Sequence, residues 1–173
     1  MDIVVTPIAA AVTRATLRYR NFAFTCALGR SGVRVDKHEG DGATPVGRYA
    51  LKRLLYRADR LMPPATKLPI WPTAKDDGWC DAPDDANYNR PVKLPYPASA
   101  ENMWREDSLY DLVVVLGHND DPVVPYAGSA IFIHVAAPDF APTAGCIALA
   151  REDLLAVLRA LPGATFIDIR DKA

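Results

Sequence analysis

Apolar and polar side chains alternate most clearly near the N-terminus. Across residues 13–20, Ala15, Leu17 and Tyr19 point one way while Arg14, Thr16, Arg18 and Arg20 point the other, the period-two mark of a half-buried strand. Asn21 offers a turn, and Phe22, Phe24, Cys26 and Leu28 continue the alternation, which predicts a hairpin. The apolar run over residues 3–12 predicts one more strand ahead of it. Gly29-Arg30-Ser31-Gly32 reads as a turn before Val33 and Val35. The loop signals Gly40-Asp41-Gly42 and Thr44-Pro45-Val46-Gly47 precede a strand over residues 48–54. Residues 112–116 and 130–134 are continuous apolar runs, as buried central strands require. After Cys146 the period becomes helical: Leu154, Leu155, Leu158 and Leu161 share one face, with Glu152 and Asp153 at the N-terminal end and Pro162-Gly163 beyond the C-terminal end. Residues 165–169 predict a final strand. Between residues 57 and 107 the periodicity fades into Pro, Asp, Asn and Trp. An irregular stretch of that length is expected to build a site or a lid, with a short helix near residues 99–106.

The pattern predicts a mainly β domain of the α+β class, with a few helices and a bent, barrel-like or sandwiched sheet. Its 173 residues suffice for one domain, taken as residues 1–173, with a substantial core. Half the residues are hydrophobic and 24% are charged, an ordinary globular balance. A net charge of −1 gives no reason to expect nucleic acid or an anionic membrane as partner. The N-terminal apolar run is too short to span a membrane, is broken by Pro7 and lacks a basic n-region. It is read as a strand in preference to a signal peptide. Three cysteines, Cys26, Cys80 and Cys146, with no Cys-x-x-Cys, do not make a disulfide framework. His38, His118 and His134 stand far apart without ligand spacing, so no metal and no cofactor is assigned. Oligomeric state is left unspecified.

The chemistry concentrates in two short segments. Ile131-Phe132-Ile133-His134 ends an apolar run in an imidazole, and a Pro-rich loop then leads to Thr143-Ala144-Gly145-Cys146-Ile147-Ala148-Leu149. A cysteine thiol is mostly neutral at pH 7, and an adjacent base makes it a nucleophile toward carbonyls. His134 is the candidate base and later proton donor. Small residues around Cys146 let a substrate carbonyl approach the backbone N–H groups of Ala144, Gly145 and Cys146 as an oxyanion hole. The helix starting near Ala150 is expected to add partial positive charge near the thiol. A structural reading stands beside this one: an isolated cysteine is by default a small buried hydrophobe.

Two segments together resemble the L,D-transpeptidase family, the YkuD-type catalytic domain. Gly40-Asp41-Gly42-Ala43-Thr44-Pro45-Val46-Gly47 is similar to its early Gly-x-x-Thr-Pro-x-Gly turn, and His134 with Thr143-Ala144-Gly145-Cys146 to its His…Ser/Thr-x-Gly-Cys signature. The similarity covers about residues 30–160. It implies an enzyme that crosslinks peptidoglycan in the periplasm or cell wall. Cys146 would attack an L,D peptide bond of a donor stem peptide, and a diaminopimelate amine on an acceptor stem would resolve the thioester. A backbone carbonyl is implied as the partner of the second nitrogen of His134. Three departures accompany the likeness. Ala144 stands where the family commonly has His, Ala148 stands where it commonly has Arg, and the interval from His134 to Cys146 is short. The crosslink is therefore left as 3,3 or 1,3, and Arg151 or Arg90 is a candidate for the carboxylate contact that the missing Arg would make.

Other residues carry paired readings. Asp81 and Arg90 are candidates for gripping the amine and carboxylate of a zwitterionic substrate, or form surface ion pairs. His118 and Asn119 follow a buried strand and line a loop, as substrate contacts or as a solvated turn. Trp71, Trp79, Tyr88 and Trp104 either wall a cleft or form a satellite cluster. Thr143 is a candidate substrate contact, Cys26 is core, and Cys80 is a candidate exposed thiol. Two further functions remain open: a cysteine carboxypeptidase or amidase using water as acceptor, and a non-catalytic wall-binding module.

Overall fold

The computed structural model describes residues 1–171. In chain order, the strands begin with β1 (Ile3–Ile8), β2 (Ala11–Tyr19) and β3 (Phe22–Ala27). Next come β4 (Val33–Arg34), β5 (Thr44–Pro45) and β6 (Gly47–Tyr56). The middle of the chain holds β7 (Ile70–Pro72), β8 (Asp77–Cys80), β9 (Pro91–Lys93) and β10 (Ala100–Asn102). The last third contributes β11 (Leu112–Leu116), β12 (Phe132–Val135), β13 (Ile147–Leu149), the helix α1 (Arg151–Ala160) and β14 (Phe166–Ile169). The predicted hairpin is β2–β3, with Leu17 opposite Phe24 and Ala15 opposite Cys26. The apolar run over residues 3–12 is two strands and not one. β1 ends at Ile8 and turns through Ala9-Ala10 into β2, with a register shift at Pro7/Ile8. Proline cannot donate to a ladder, so the pairing becomes irregular there.

The main sheet closes on itself. Its order is β11-β12-β13-β3-β2-β1-β14-β6, and β6 returns to β11 by antiparallel pairing from Leu112↔Tyr56 to Leu116↔Leu51. The single domain is thus a β-barrel-like closed sheet with one helix among the described residues. Closure removes the exposed edges that an open sheet of this size would carry. β7 extends the sheet alongside the C-terminal half of β6, at Leu54↔Ile70 to Tyr56↔Pro72, while β14 occupies the N-terminal half. Ile3, Val5, Leu17, Leu54, Ile133, Ile147, Leu149 and Ile167 fill the interior, and Leu154, Val157 and Leu158 of α1 pack against the same core. Among the described residues, no helix is long and apolar enough to cross a membrane.

The aperiodic middle of the chain forms a three-stranded sheet, β10-β8-β9, docked on the outside of the barrel. This explains why residues 112–116 are apolar without alternation. Leu112, Val114 and Leu116 face the interior, while Val113 and Val115 pack outward against Trp79, Met103, Tyr110 and Phe132. A strand covered on both faces has no solvent side to alternate with. The short helix expected over residues 99–106 is instead β10. Its pairing with β8, Ala100↔Cys80 to Asn102↔Gly78, overrides a weak local helical preference. Cys80, expected as an exposed thiol, ends β8 at 0% exposure. Trp79 and Tyr88 are buried in the docking layer, and Trp104 lies under the Arg57 guanidinium at 3.6 Å. None of the four aromatics lines the cleft described below; Trp79 belongs to the cluster in the docking layer, and Trp71 and Trp79 border other depressions.

Candidate active site

Strand register explains how an imidazole and a thiol twelve positions apart come to one surface. β12 and β13 run parallel, pairing Ile133↔Ile147 and His134↔Ala148. Ile133 and Ile147 point into the barrel, so His134 and Ala148 point out. Cys146, two residues before Ala148, falls on that same outer face, where it packs in the cluster containing Phe132. His134 and Cys146 are buried, at 6% and 7% exposure, and both line a cleft of about 500 Å³. Thr143, Ala144, Gly145 and Asp81 line it too.

The turn that presents Cys146 rests on the early Gly-x-x-Thr-Pro-x-Gly segment. Thr44 is fully buried, and its Oγ1 accepts the Gly29 N–H at 2.9 Å and lies 3.5 Å from the Cys146 carbonyl. Thr143 Oγ1 donates to that carbonyl at 2.6 Å and accepts the Gly145 N–H at 3.1 Å. Gly145 has φ +146°, and a Cβ there would stand 2.9 Å from the Ala43 carbonyl oxygen. Only glycine combines that backbone with that close approach. The upstream motif is therefore a platform under the cysteine turn.

His134 Nδ1 faces the Val135 carbonyl at 2.8 Å. A carbonyl only accepts, so Nδ1 carries the hydrogen and Nε2 presents the basic lone pair. The implied backbone acceptor is thus Val135. The ring of Tyr110 meets His134 edge-on at 5.2 Å. Burial pulls the imidazole pKa down to about 4. Burial also pushes the Cys146 thiol up to about 12, with the Glu101 carboxylate adding to the rise. Both groups are therefore neutral at pH 7. The thiol points at the Ala130 carbonyl (3.2 Å), and its sulfur receives the Phe132 N–H at 3.4 Å. Among the described residues, no hydrogen bond joins it to His134. Ala130 holds φ +53°, uncommon for a non-glycine residue, and Asn89 Oδ1 accepts its N–H at 3.0 Å.

Several candidates lie elsewhere. Arg90 pairs with Asp120 at 2.8 Å and shares a separate depression with Trp79 and His118. His118 is bonded to the Ala127 carbonyl at 3.0 Å, and burial lowers its pKa. Asn119 staples its own loop, bonding Val124 and the Gly128 carbonyl. Trp79 supports the site from behind, meeting Phe132 edge-on at 5.1 Å and donating to Asn89 at 2.9 Å. Arg151 opens α1, beyond the far end of β13 from Cys146. Four extended residues span about 13 Å, so the α1 N-terminus is too distant to polarise the thiol as expected. The sequence reading did not single out Arg30, Lys37, Glu39, Glu101, Arg105 and Tyr110, which all line the cleft. They come from separate loops and from the docked sheet, and no local spacing links them.

A barrel-like sheet thus carries a buried thiol and a tautomer-fixed imidazole on one cleft wall, the two groups that cysteine acyl transfer uses. The family description of the L,D-transpeptidase catalytic domain, YkuD, matches residues 8–169, and the chain belongs to that family. The family is generally one of cysteine-dependent L,D-transpeptidases, typically of the cell wall or periplasm, with peptidoglycan as substrate. No curated protein matches the chain.

Proposed function

We propose that the protein is a peptidoglycan L,D-transpeptidase with Cys146 as nucleophile and His134 as general base and acid. The observation that carries this reading is the bond from His134 Nδ1 to Val135, which leaves Nε2 free to take a proton on the wall that bears Cys146. As the sulfur attacks the carbonyl carbon of a donor L,D peptide bond, His134 takes the thiol proton. The C–N bond then breaks, and the imidazolium returns that proton to the leaving amine. Gly145 N–H is already used by Thr143, so the N–H groups of Ala144 and Cys146 serve as the oxyanion hole. The side-chain amine of diaminopimelate on an acceptor stem attacks the thioester and displaces the sulfur, forming a 3,3 or 1,3 crosslink.

Ala148 stands beside His134 where the family commonly carries Arg. Arg30, a guanidinium on the cleft wall with no carboxylate partner among the described residues, is the group assigned here to a donor carboxylate. The substrate puts the site of action in the periplasm or cell wall. The test is incubation with diaminopimelate-containing muropeptides, with products read by mass spectrometry. Crosslinked dimers that vanish in Cys146→Ala are expected. Shortened monomers alone would assign a hydrolase. No turnover and no carbapenem adduct on Cys146 would leave a binding module.

A further inference from the structure

One wall of the cleft is acidic and incompletely paired. Glu101, on β10, holds the Tyr110 hydroxyl, and burial raises its carboxyl pKa against the opposing pull of that bond and of Arg105, with Asp81 and Glu39 adding to the rise. Glu39 Oε2 accepts from Tyr88 at 2.5 Å and Ser129 at 2.7 Å. The Asp81 Oδ1 atom is sealed from solvent and has no hydrogen-bond partner. Of the cations on the cleft wall, Lys37 is paired with Asp41 at 2.6 Å and Arg105 with Asp107 at 2.6 Å, and Arg30 is the one assigned above to the donor carboxylate. Three mutually repelling carboxylates, one with a buried orphan oxygen, lie in the same cleft as the thiol. Such an arrangement is costly unless a cation completes it. Glu101 holds the Tyr110 hydroxyl, and the Tyr110 ring meets His134 at 5.2 Å, so a cation on Glu101 lies on the side of the cleft that bears the Cys146–His134 pair.

We propose that Glu101 and Asp81, backed by Glu39, form the acceptor subsite: they bind the incoming primary ammonium, and Glu101 takes its first proton. The proposal rests on the transpeptidase reading above and specifies how its second half-reaction is served. An ammonium cannot attack a thioester, because its nitrogen has no lone pair. Transfer of one proton to the Glu101 carboxylate gives the amine and a neutral carboxyl. The amine nitrogen bonds to the thioester carbon and passes its second proton to His134 Nε2. The C–S bond breaks, and His134 returns that proton to the sulfur. Glu101 then releases its proton to solvent. The products are an amide and free thiol, and no oxidant, reductant or further reactant is needed. A low-dielectric carboxylate suits this task, since its raised basicity brings it closer to the amine it must deprotonate. The same wall discriminates against water, which brings no charge to satisfy Asp81.

Two measurements test the assignment. The first needs no turnover. In the full-length Cys146→Ala protein, dissociation constants are compared for one acceptor stem peptide with its side-chain amine free or acetylated. Acetylation is expected to weaken binding at least tenfold, and the difference should collapse in Cys146→Ala/Glu101→Gln, where glutamine still accepts from Tyr110. Equal affinity for the two peptides overturns the subsite, whatever the enzyme does. The second reads the ratio of crosslinked to hydrolysed product formed from one acyl-enzyme, so differences in acylation cancel. Glu101→Gln and Asp81→Asn should each lower that ratio at least tenfold in variants whose melting temperature stays near the parent's. An unchanged ratio overturns the proposal. Absence of any acyl-enzyme in the unmutated protein would instead count against the transpeptidase reading, and the binding comparison would still decide the subsite.

Discussion

The neutrality of the Cys146–His134 pair has a direct kinetic consequence. Many thiol enzymes rest as a thiolate–imidazolium pair, whose thiol reacts with alkylating agents at mildly acidic pH. Here burial holds Cys146 at about 12 and His134 at about 4, so the resting state has a proton on sulfur and none on Nε2. At pH 7 the thiolate fraction is then about one part in 10⁵, against about one part in 100 for the ordinary value of 9.0. Alkylation of Cys146 by iodoacetamide is therefore expected to run about a thousandfold slower than that of a free cysteine peptide at pH 7. It should rise tenfold per pH unit from pH 6 to pH 9 without a plateau. Mass spectrometry of the labelled peptide isolates Cys146 from Cys26 and Cys80, both buried. His134→Ala should change this labelling little while abolishing turnover of a peptide donor, because the imidazole acts during attack and not by storing a thiolate. An alkylation profile inflecting between pH 5 and pH 8, and lost in His134→Ala, would refute the neutral-pair argument.

Further expectations follow from the same geometry. A histidine whose folded pKa lies below its unfolded value of 6.5 stabilises the fold fully above pH 6.5, and that stabilisation is lost as pH falls toward 4. Over that window wild type should lose about 3 kcal/mol more than His134→Gln in urea titrations, and parallel losses would contradict it. Asn89→Ala removes the acceptor of both the Trp79 indole N–H and the Ala130 N–H. A loss of about 3 kcal/mol, or about 6–12 °C in melting temperature, is expected, and less than about 1 kcal/mol would show that these groups find other partners. Gly145→Ala drives a Cβ against the Ala43 carbonyl and is expected to cost about 2 kcal/mol or more and to stop Cys146 acylation. A stable variant acylated at the parental rate would count against that account of the turn.

The sequence by itself determined the β-rich class, the N-terminal hairpin, the buried strands around residues 112–116 and 130–134, and α1. In each, local periodicity records which faces are covered. It also determined the two chemical segments, since a platform turn and a small-residue cysteine turn need particular residues at particular positions: Thr44 under Gly29, and Gly145 against Ala43. Tertiary structure alone decided how the barrel closes, through β6 returning to β11, because strand pairing across some sixty residues leaves no local mark. It also decided what the aperiodic middle does. Strands of three or four residues are too short to show a period, and their pairing partners are not their sequence neighbours. The second wall of the cleft arises there. Asp81 was noted from its residue type, but Glu101, Arg105 and Tyr110 become part of the site only when the docked sheet folds over β12. The same docking buries His134 and Cys146 and so sets their protonation. Desolvation depends on what covers a residue, and nothing in the neighbouring sequence records that.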